Sequence, residues 1–267
     1  TEKSVENALR VLLGVSGSTN AMIHLTAIAG RAGVEVDLKR FNELSDETPV
    51  LVDLKPVGTG YMEDFHAAGG LSGVLRALAP QLNLQTLDVT GQSLEKRLKK
   101  EQAETTDLNV IRNTQNPVDA QGGLIALHGT LAPEGAILKR AEATPSLLEH
   151  EGRAVVFSSL EDLAARIDSP DLDVNADDIL VLQNAGPRSP SGMPEAGYLP
   201  IPKKLAKVGV KAMVRISDAR MSGTAFGTIV LHVTPEADLG GPLALVQNGD
   251  RIRLSAAAKT IDLLVTP

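Results

Sequence analysis

Four stretches of this chain gather side chains that can bind anions, hold a metal or move a proton, and each also has an ordinary structural reading. Ser16-Gly17-Ser18-Thr19-Asn20 stands directly before a helical pattern, where hydroxyl and amide side chains cap free N–H groups that also attract a carboxylate or phosphate. No Gly-Lys-Ser/Thr follows and the Rossmann glycine spacing is missing, so it is neither nucleotide motif, and plain helix capping explains the same residues. Asp53-Leu54-Lys55-Pro56, followed by Met62-Glu63-Asp64-Phe65-His66, brings a lysine, acids and a histidine close together in sequence. That group can take a metal or an acid; a turn at Pro56 and a solvated helix start at Glu63-Asp64 is the alternative. Gly186 to Glu195, GPRSPSGMPE, is too rich in Gly and Pro for regular structure and ends in a carboxylate. Glu195 is an oxygen donor suited to Mg²⁺, which takes one or two protein carboxylates, or else an ordinary loop glutamate. Arg215 to Thr224, RISDARMSGT, follows a β-type run; its arginines can fork onto a carboxylate, or pair with nearby acids around a Ser-Gly turn. The five histidines, His24, His66, His128, His150 and His232, have no metal-ligand spacing among themselves, and single histidines are more often structural or exposed.

The elements that must position these groups follow from periodicity. Val5, Leu9, Leu12 and Leu13 recur at helical spacing, a second helix fits Asn20 to Ala32 before Gly33, and a third fits Leu71 to Leu78 before Pro80. Residues 95–120 are charged and polar, with the composition of a linker or an exposed crossing, which places a domain boundary near Asn116. Beyond it β-type runs dominate: Leu124 to Leu127, Ala136 to Leu138, Ala154 to Phe157, Ile179 to Leu182, Ala212 to Ile216 and Thr228 to Val233. Leu243 to Val246, the turn Asn248-Gly249-Asp250, Ile252 to Leu254 and Ile261 to Val265 suggest antiparallel pairing. One helix, Leu160 to Ile167, has Ser158 and Glu161 at capping-box spacing. The expected fold is therefore mixed α/β. Residues 1–115 are helical, and residues 116–267 form a β-rich unit, either a barrel or a two-layer sheet.

Composition limits the functions. The 26 basic and 33 acidic residues give a formal charge of −7 with the basic residues scattered, which argues against nucleic acid as a partner. No apolar run approaches the roughly 20 residues of a membrane span, and TEKSVENALRVL reads as a charged amphipathic helix, so a soluble, cytoplasmic protein is expected. With no cysteine there is no disulfide framework and no thiolate for zinc or an iron–sulfur cluster. Two Tyr, four Phe and no Trp leave little for stacking, which points to a small polar ligand.

Taken in order, six blocks resemble the dihydroxy-acid and sugar-acid dehydratase family: SGSTNAMIHL at 16–25, DLKPVGTGYMEDFHAAGG at 53–70, GGLIALHGTLAPEGAILK at 122–139, GPRSPSGMPE at 186–195, RISDARMSGTAFG at 215–227 and HVTPEADLGGPLALVQNGD at 232–250. MPEAGYLPIPKKL followed by RISDARMSGTAFG looks more like the sugar-acid branch, which handles L-arabonate or D-xylonate, than the branched-chain amino-acid enzyme. The resemblance implies loss of water from a 2,3-dihydroxy acid to give a 2-keto acid, with a [2Fe–2S] cluster and Mg²⁺ as cofactors. It assigns Glu195 as a Mg²⁺ ligand, Ser222 as an alkoxide base and Thr224 as its hydrogen-bonding neighbour. Ser18, Thr19, Asn20 and Arg220 become substrate-binding candidates. A serine hydroxyl is a poor base unless cations stabilise its anion, which a metal and cluster would supply.

In that family the cluster cysteines, further acidic Mg²⁺ ligands and a modified lysine precede the SGSTNA block, and a C-terminal tail follows the last strand. The sequence therefore looks truncated at both ends. Residues 1–115 correspond to the C-terminal part of an α/β cluster and substrate domain, a helical remnant, and residues 116–267 to a barrel-like C-terminal domain. Alone, the chain is expected to be inactive and cluster-free, binding at most Mg²⁺ through Glu195. Its expected partners are a small hydroxy acid, the missing N-terminal region and further copies in a dimer or tetramer. The alternatives are a dihydroxy-acid dehydratase of branched-chain amino-acid synthesis and a catalytically silent binding domain.

Overall fold

Thr1 opens the first helix by accepting the Ser4 N–H on its side-chain oxygen, and α1 (Glu2–Gly14) then buries Leu9, Leu12 and Leu13 at helical spacing. The computed structural model describes residues 1–100, 107–193, 199–221 and 227–265, and the chain divides into two units, Thr1–Leu124 and Ile125–Pro267. In the first unit α1 is followed by α2 (Asn20–Arg31), α3 (Leu38–Glu47), α4 (Met62–Ala67), α5 (Gly70–Ala77) and α6 (Leu94–Lys100). Leu51, Val52, Val74, Leu78 and Ile111 form a core here.

Two features of this unit differ from the sequence reading. The polar stretch 95–120 contains most of α6, whose Leu94 and Leu98 lie one turn apart and pack on that core. Ile111 is fully buried, and isolated bridges Val52↔Ile111 and Val50↔Asp119 fasten the stretch to the first unit. Among the described residues of the stretch, the charged Lys96, Lys99, Lys100, Asp107 and Asp119 are exposed, while the apolar Leu98 and Ile111 pack. α3, which the sequence reading omits, buries Phe41 and Leu44 three positions apart and is capped by Asp37, whose carboxylate accepts the Lys39 N–H at 2.8 Å.

The second unit is one mixed sheet built from β1 (Ile125–Leu127), β2 (Gly135–Leu138), β3 (Glu149–Phe157), β4 (Ile179–Leu182), β5 (Arg215–Ser217), β6 (Ile229–Thr234), β7 (Arg251–Ser255) and β8 (Thr260–Leu263). Their spatial order is β1-β2-β6-β5-β4-β3-β7-β8. The middle strands β3 to β6 run parallel and the flanking pairs antiparallel. Past β1, His128 pairs with Thr260 of β8, so the two ends of the sheet meet and it closes like a barrel. Parallel strands buried on both faces read as unbroken apolar runs. Val156, Val181 and Ile216 accordingly face one core, while Val155, Phe157, Leu180 and Leu182 face a second core with Leu163 and Ile167.

α7 (Leu160–Arg166) connects β3 to β4, and its cap sits one residue later than the Ser158–Glu161 spacing suggests. Ser159 accepts the Asp162 N–H, and Asp162 reaches back to the Ser158 N–H. Leu243 to Val246 is not a strand. Pro242 starts a 3₁₀ turn there, and the buried Gln183 amide donates to the Leu243 and Val246 carbonyls at 2.7 and 3.0 Å, removing them from any ladder. A further short helix, α8 (Lys203–Lys207), lies between β4 and β5.

Asp162 also takes a two-pronged pairing from Arg166, one turn along α7, at 2.6 and 2.7 Å. That guanidinium, helped by the Ser158 N–H, holds the Asp162 pKa at about 2 against the opposing effect of burial. A depressed carboxylate contributes stability above its unfolded value and loses it as pH falls through the folded value. Asp162→Asn should therefore lower the urea midpoint at pH 7, with the gap to the parent narrowing as pH drops from 5 to 3. A gap constant across that range would contradict the assignment.

Candidate functional site

Because β3 to β6 are parallel, their C-terminal ends lie on one side of the sheet, where open α/β sheets place their ligand sites. Two of the four chemistry-bearing stretches leave from there. The GPRSPSGMPE loop follows β4 and the SDARMSGT loop follows β5, its immediate neighbour in the sheet.

Before residues 194–198 and 222–226 the two loops touch: the Arg220 Nε donates to the Met193 carbonyl at 3.2 Å. After them they meet again at Arg215, which is buried on β5. One of its terminal nitrogens donates to the Leu199 carbonyl at 3.1 Å, and the other lies against Gly227. Gly227 has φ +122, and a Cβ there would strike the guanidinium, so glycine is required. Burial lowers the Arg215 pKa to about 10, and it remains a cation at neutral pH. Glu195, Ser222 and Thr224 all lie outside the described residues, on the two segments that these anchors bracket.

A carboxylate fixes the shape of this end. Asp218 is almost fully buried and receives the Ala185 N–H from the loop after β4 at 3.1 Å and the Ala237 N–H from beyond β6 at 2.9 Å. Burial pushes its carboxyl above the ordinary aspartate value, against the pull of those N–H groups, and the neighbouring Glu236 adds to the rise. Glu236 itself accepts the Arg188 N–H at 2.8 Å. Beside them His232 of β6 donates its backbone N–H to Ala219 at 3.3 Å. Sequence reasoning gave no role to Asp218, Glu236 or His232. Their partners come from loops tens of positions away, and only their place in HVTPE and ISDAR hinted at them.

In the first unit, Ser18 is exposed and its Oγ accepts the Asn20 N–H at 3.2 Å. Thr19 is buried at the N-terminus of α2 without a capping bond of its own, and Asn20 is the first residue of that helix. The Asp53 to His66 stretch follows its structural reading in part. Asp64 accepts the Tyr61 N–H at the start of α4, Asp53 takes the Thr59 N–H and pairs with Arg112 at 3.6 Å, and the Lys55 ammonium bonds the Tyr61 hydroxyl. Among the described residues no three His, Asp or Glu side chains gather to hold a metal, and no helix is long and apolar enough to cross a membrane.

Residues 1–97 match the family model described as dihydroxy-acid/6-phosphogluconate dehydratase N-terminal, and residues 109–267 match its C-terminal counterpart. The chain is 49% identical to the L-arabonate dehydratase of Azospirillum brasilense and 48% identical to the 6-deoxy-6-sulfo-D-gluconate dehydratase of Pseudomonas putida, in each case over 100% of this chain and 46% of the relative. It is 41% identical to the dihydroxy-acid dehydratase of Methanoregula boonei, over 100% of the chain and 47% of that protein. The chain thus spans about half the length of the curated relatives it matches.

Proposed function

Since the chain belongs to the dihydroxy-acid/6-phosphogluconate dehydratase family, we propose that it is part of a hydro-lyase that dehydrates a 2,3-dihydroxy sugar acid to a 2-keto-3-deoxy acid. The observation that carries this reading is the pairing of the two strand-end loops at Met193–Arg220 and again at Arg215. Those contacts join described residues that flank 194–198 and 222–226, the stretches in which Glu195 and Ser222 stand in sequence. Sugar-acid names stand at 48–49% identity and a dihydroxy-acid name at 41%, which favours the sugar-acid branch.

In this reading Arg220 pairs with the substrate carboxylate. Ser222 accepts the proton from the carbon beside that carboxylate, with Thr224 as its hydrogen-bonding neighbour. The hydroxyl on the next carbon leaves with that proton as water, and the resulting enol tautomerises to the ketone. Ser18, Thr19 and Asn20 are the first unit's own candidates for an anion contact.

The cofactors belong to the same proposal for the complete enzyme. None of the 267 residues is a cysteine, so this chain does not fit a [2Fe–2S] cluster as its ligand source. From this chain Glu195 would hold Mg²⁺, and among the described residues no group of three His, Asp or Glu side chains is placed to hold a metal.

The test is turnover. The complete protein, reconstituted with iron, sulfide and Mg²⁺, should release a 2-keto acid from L-arabonate or D-xylonate at least tenfold faster than from 2,3-dihydroxyisovalerate, read as semicarbazone absorbance. The reverse preference would move it to the branched-chain branch, and no turnover of any of the three would overturn the hydro-lyase reading.

A further inference from the structure

We propose that His232 contacts the ligand in the site at the ends of β4 to β6, its imidazole hydrogen-bonding a hydroxyl of the bound hydroxy acid beside Arg220. This rests on the dehydratase reading above.

The backbone carries the first part of the argument. Along the β2–β6 ladder the partners step from Gly135↔Thr234 to Ile137↔Leu231, so β6 has one residue more than β2 across the interval that holds His232 and Val233. His232 adopts φ +57, in the left-handed region that only a few per cent of non-glycine residues occupy. A bulge of this kind re-aims a side chain and recurs beside active sites. Strain held at one residue of a well-ordered strand persists only where the surrounding structure enforces it.

The side chain carries the second part. Both ring nitrogens of His232 are buried and, among the described residues, neither has a hydrogen-bond partner. Buried polar atoms are otherwise paired almost everywhere in folded proteins, so an imidazole with both nitrogens open calls for an explanation. Its surroundings are not apolar. The backbone bond to Ala219 sets it against the Asp218-Ala219-Arg220 turn, and burial, with the Arg220 charge in support, lowers the His232 pKa to about 4. At neutral pH the ring therefore offers one N–H donor and one bare nitrogen acceptor. A hydroxyl can bond either nitrogen, donating to the bare one or accepting from the N–H, whereas a carboxylate, which only accepts, is best served by the Arg220 cation. The two side chains divide a hydroxy acid between them by chemistry. A pocket built to hydrogen-bond a hydroxyl rejects analogues that lack it, because its own polar atoms are then left unpaired.

The experiment compares His232→Phe, which keeps a ring but removes both nitrogens, with His232→Asn, which keeps a donor and an acceptor and tolerates a left-handed backbone best. Both are made in the complete, reconstituted protein. KM and kcat for L-arabonate are measured with thermal melting in the same preparations, and binding of the 2-keto-3-deoxy product is measured by calorimetry. His232→Phe should raise KM and weaken product binding by about tenfold or more, and His232→Asn should recover most of that loss. A parent protein that turns over arabonate while His232→Phe leaves KM and product affinity unchanged would overturn this proposal alone, whatever happens to the melting temperature. A parent protein that dehydrates no hydroxy acid would remove the dehydratase reading, and the proposal with it.

Discussion

Ser222→Ala in the complete enzyme is expected to reduce turnover by on the order of 10²- to 10⁴-fold, the usual contribution of a positioned base, while substrate affinity stays within about threefold. The proton beside a carboxylate is very weakly acidic, so removing the group that accepts it affects the transition state far more than the bound ground state. If Ser222 only shapes a turn, alanine should cost about 1 kcal/mol of stability or less and leave the chemistry largely intact. Turnover of a pentonate, with fold and cluster content checked in the same preparations, separates the two outcomes. A variant retaining more than about a tenth of parental turnover, a barrier change under roughly 1.4 kcal/mol, would exclude Ser222 as an obligatory base.

Asp218→Asn is expected to have the largest effect on the described part of the site. Two backbone N–H groups, from Ala185 and Ala237, point at the two carboxylate oxygens. An amide offers one oxygen and one N–H₂ group, so one of those donors would face another donor in a buried setting. Leaving a buried group unsatisfied costs about 1–3 kcal/mol, and a loss of about 2 kcal/mol would lower Tm by roughly 4–8 °C. Activity should fall further than folding alone explains, because the same carboxylate joins the loop after β4 to the segment after β6. At a temperature where both proteins are fully folded, kcat should drop by about tenfold or more. An unchanged kcat there would reduce Asp218 to a purely structural residue.

What the sequence made legible follows a physical pattern. β4 is legible to its observed limits because four consecutive apolar residues, Ile179 to Leu182, satisfy a strand buried on both faces. α2 is legible to within a residue because Ser18-Thr19 precede its first residue, Asn20, and Gly33 closes it. Leu243 to Val246 has the same local composition as a strand, and only the distant Gln183 side chain and Pro242 decide otherwise. α3 is not legible in the sequence because Phe41 and Leu44 are a narrow stripe in a polar segment, flanked by Asn42 and Ser45, which are buried although polar. In the site, composition marks out the two loops, while the roles given to Ser222 and Thr224 come only from the family resemblance. The Asp218 clamp, the Arg215 anchor and the strained His232 depend on which strand ends meet, and that information resides in the parallel order of β4, β5 and β6.

The closing pair of the barrel bears on how the second unit behaves before it is finished. His128 exchanges main-chain bonds with Lys259 and Ile261, and the Thr130 N–H reaches Asp262 across 132 positions of sequence. In the native state these bonds occupy strand edges that would otherwise template the addition of foreign strands. Contacts so distant along the chain are slow to form, because the intervening loop must be closed before any of them is gained. The species open to edge-to-edge aggregation is thus the unsealed sheet during folding, and conditions that prolong its lifetime, rather than those that merely destabilise the native unit, govern recovery of soluble protein.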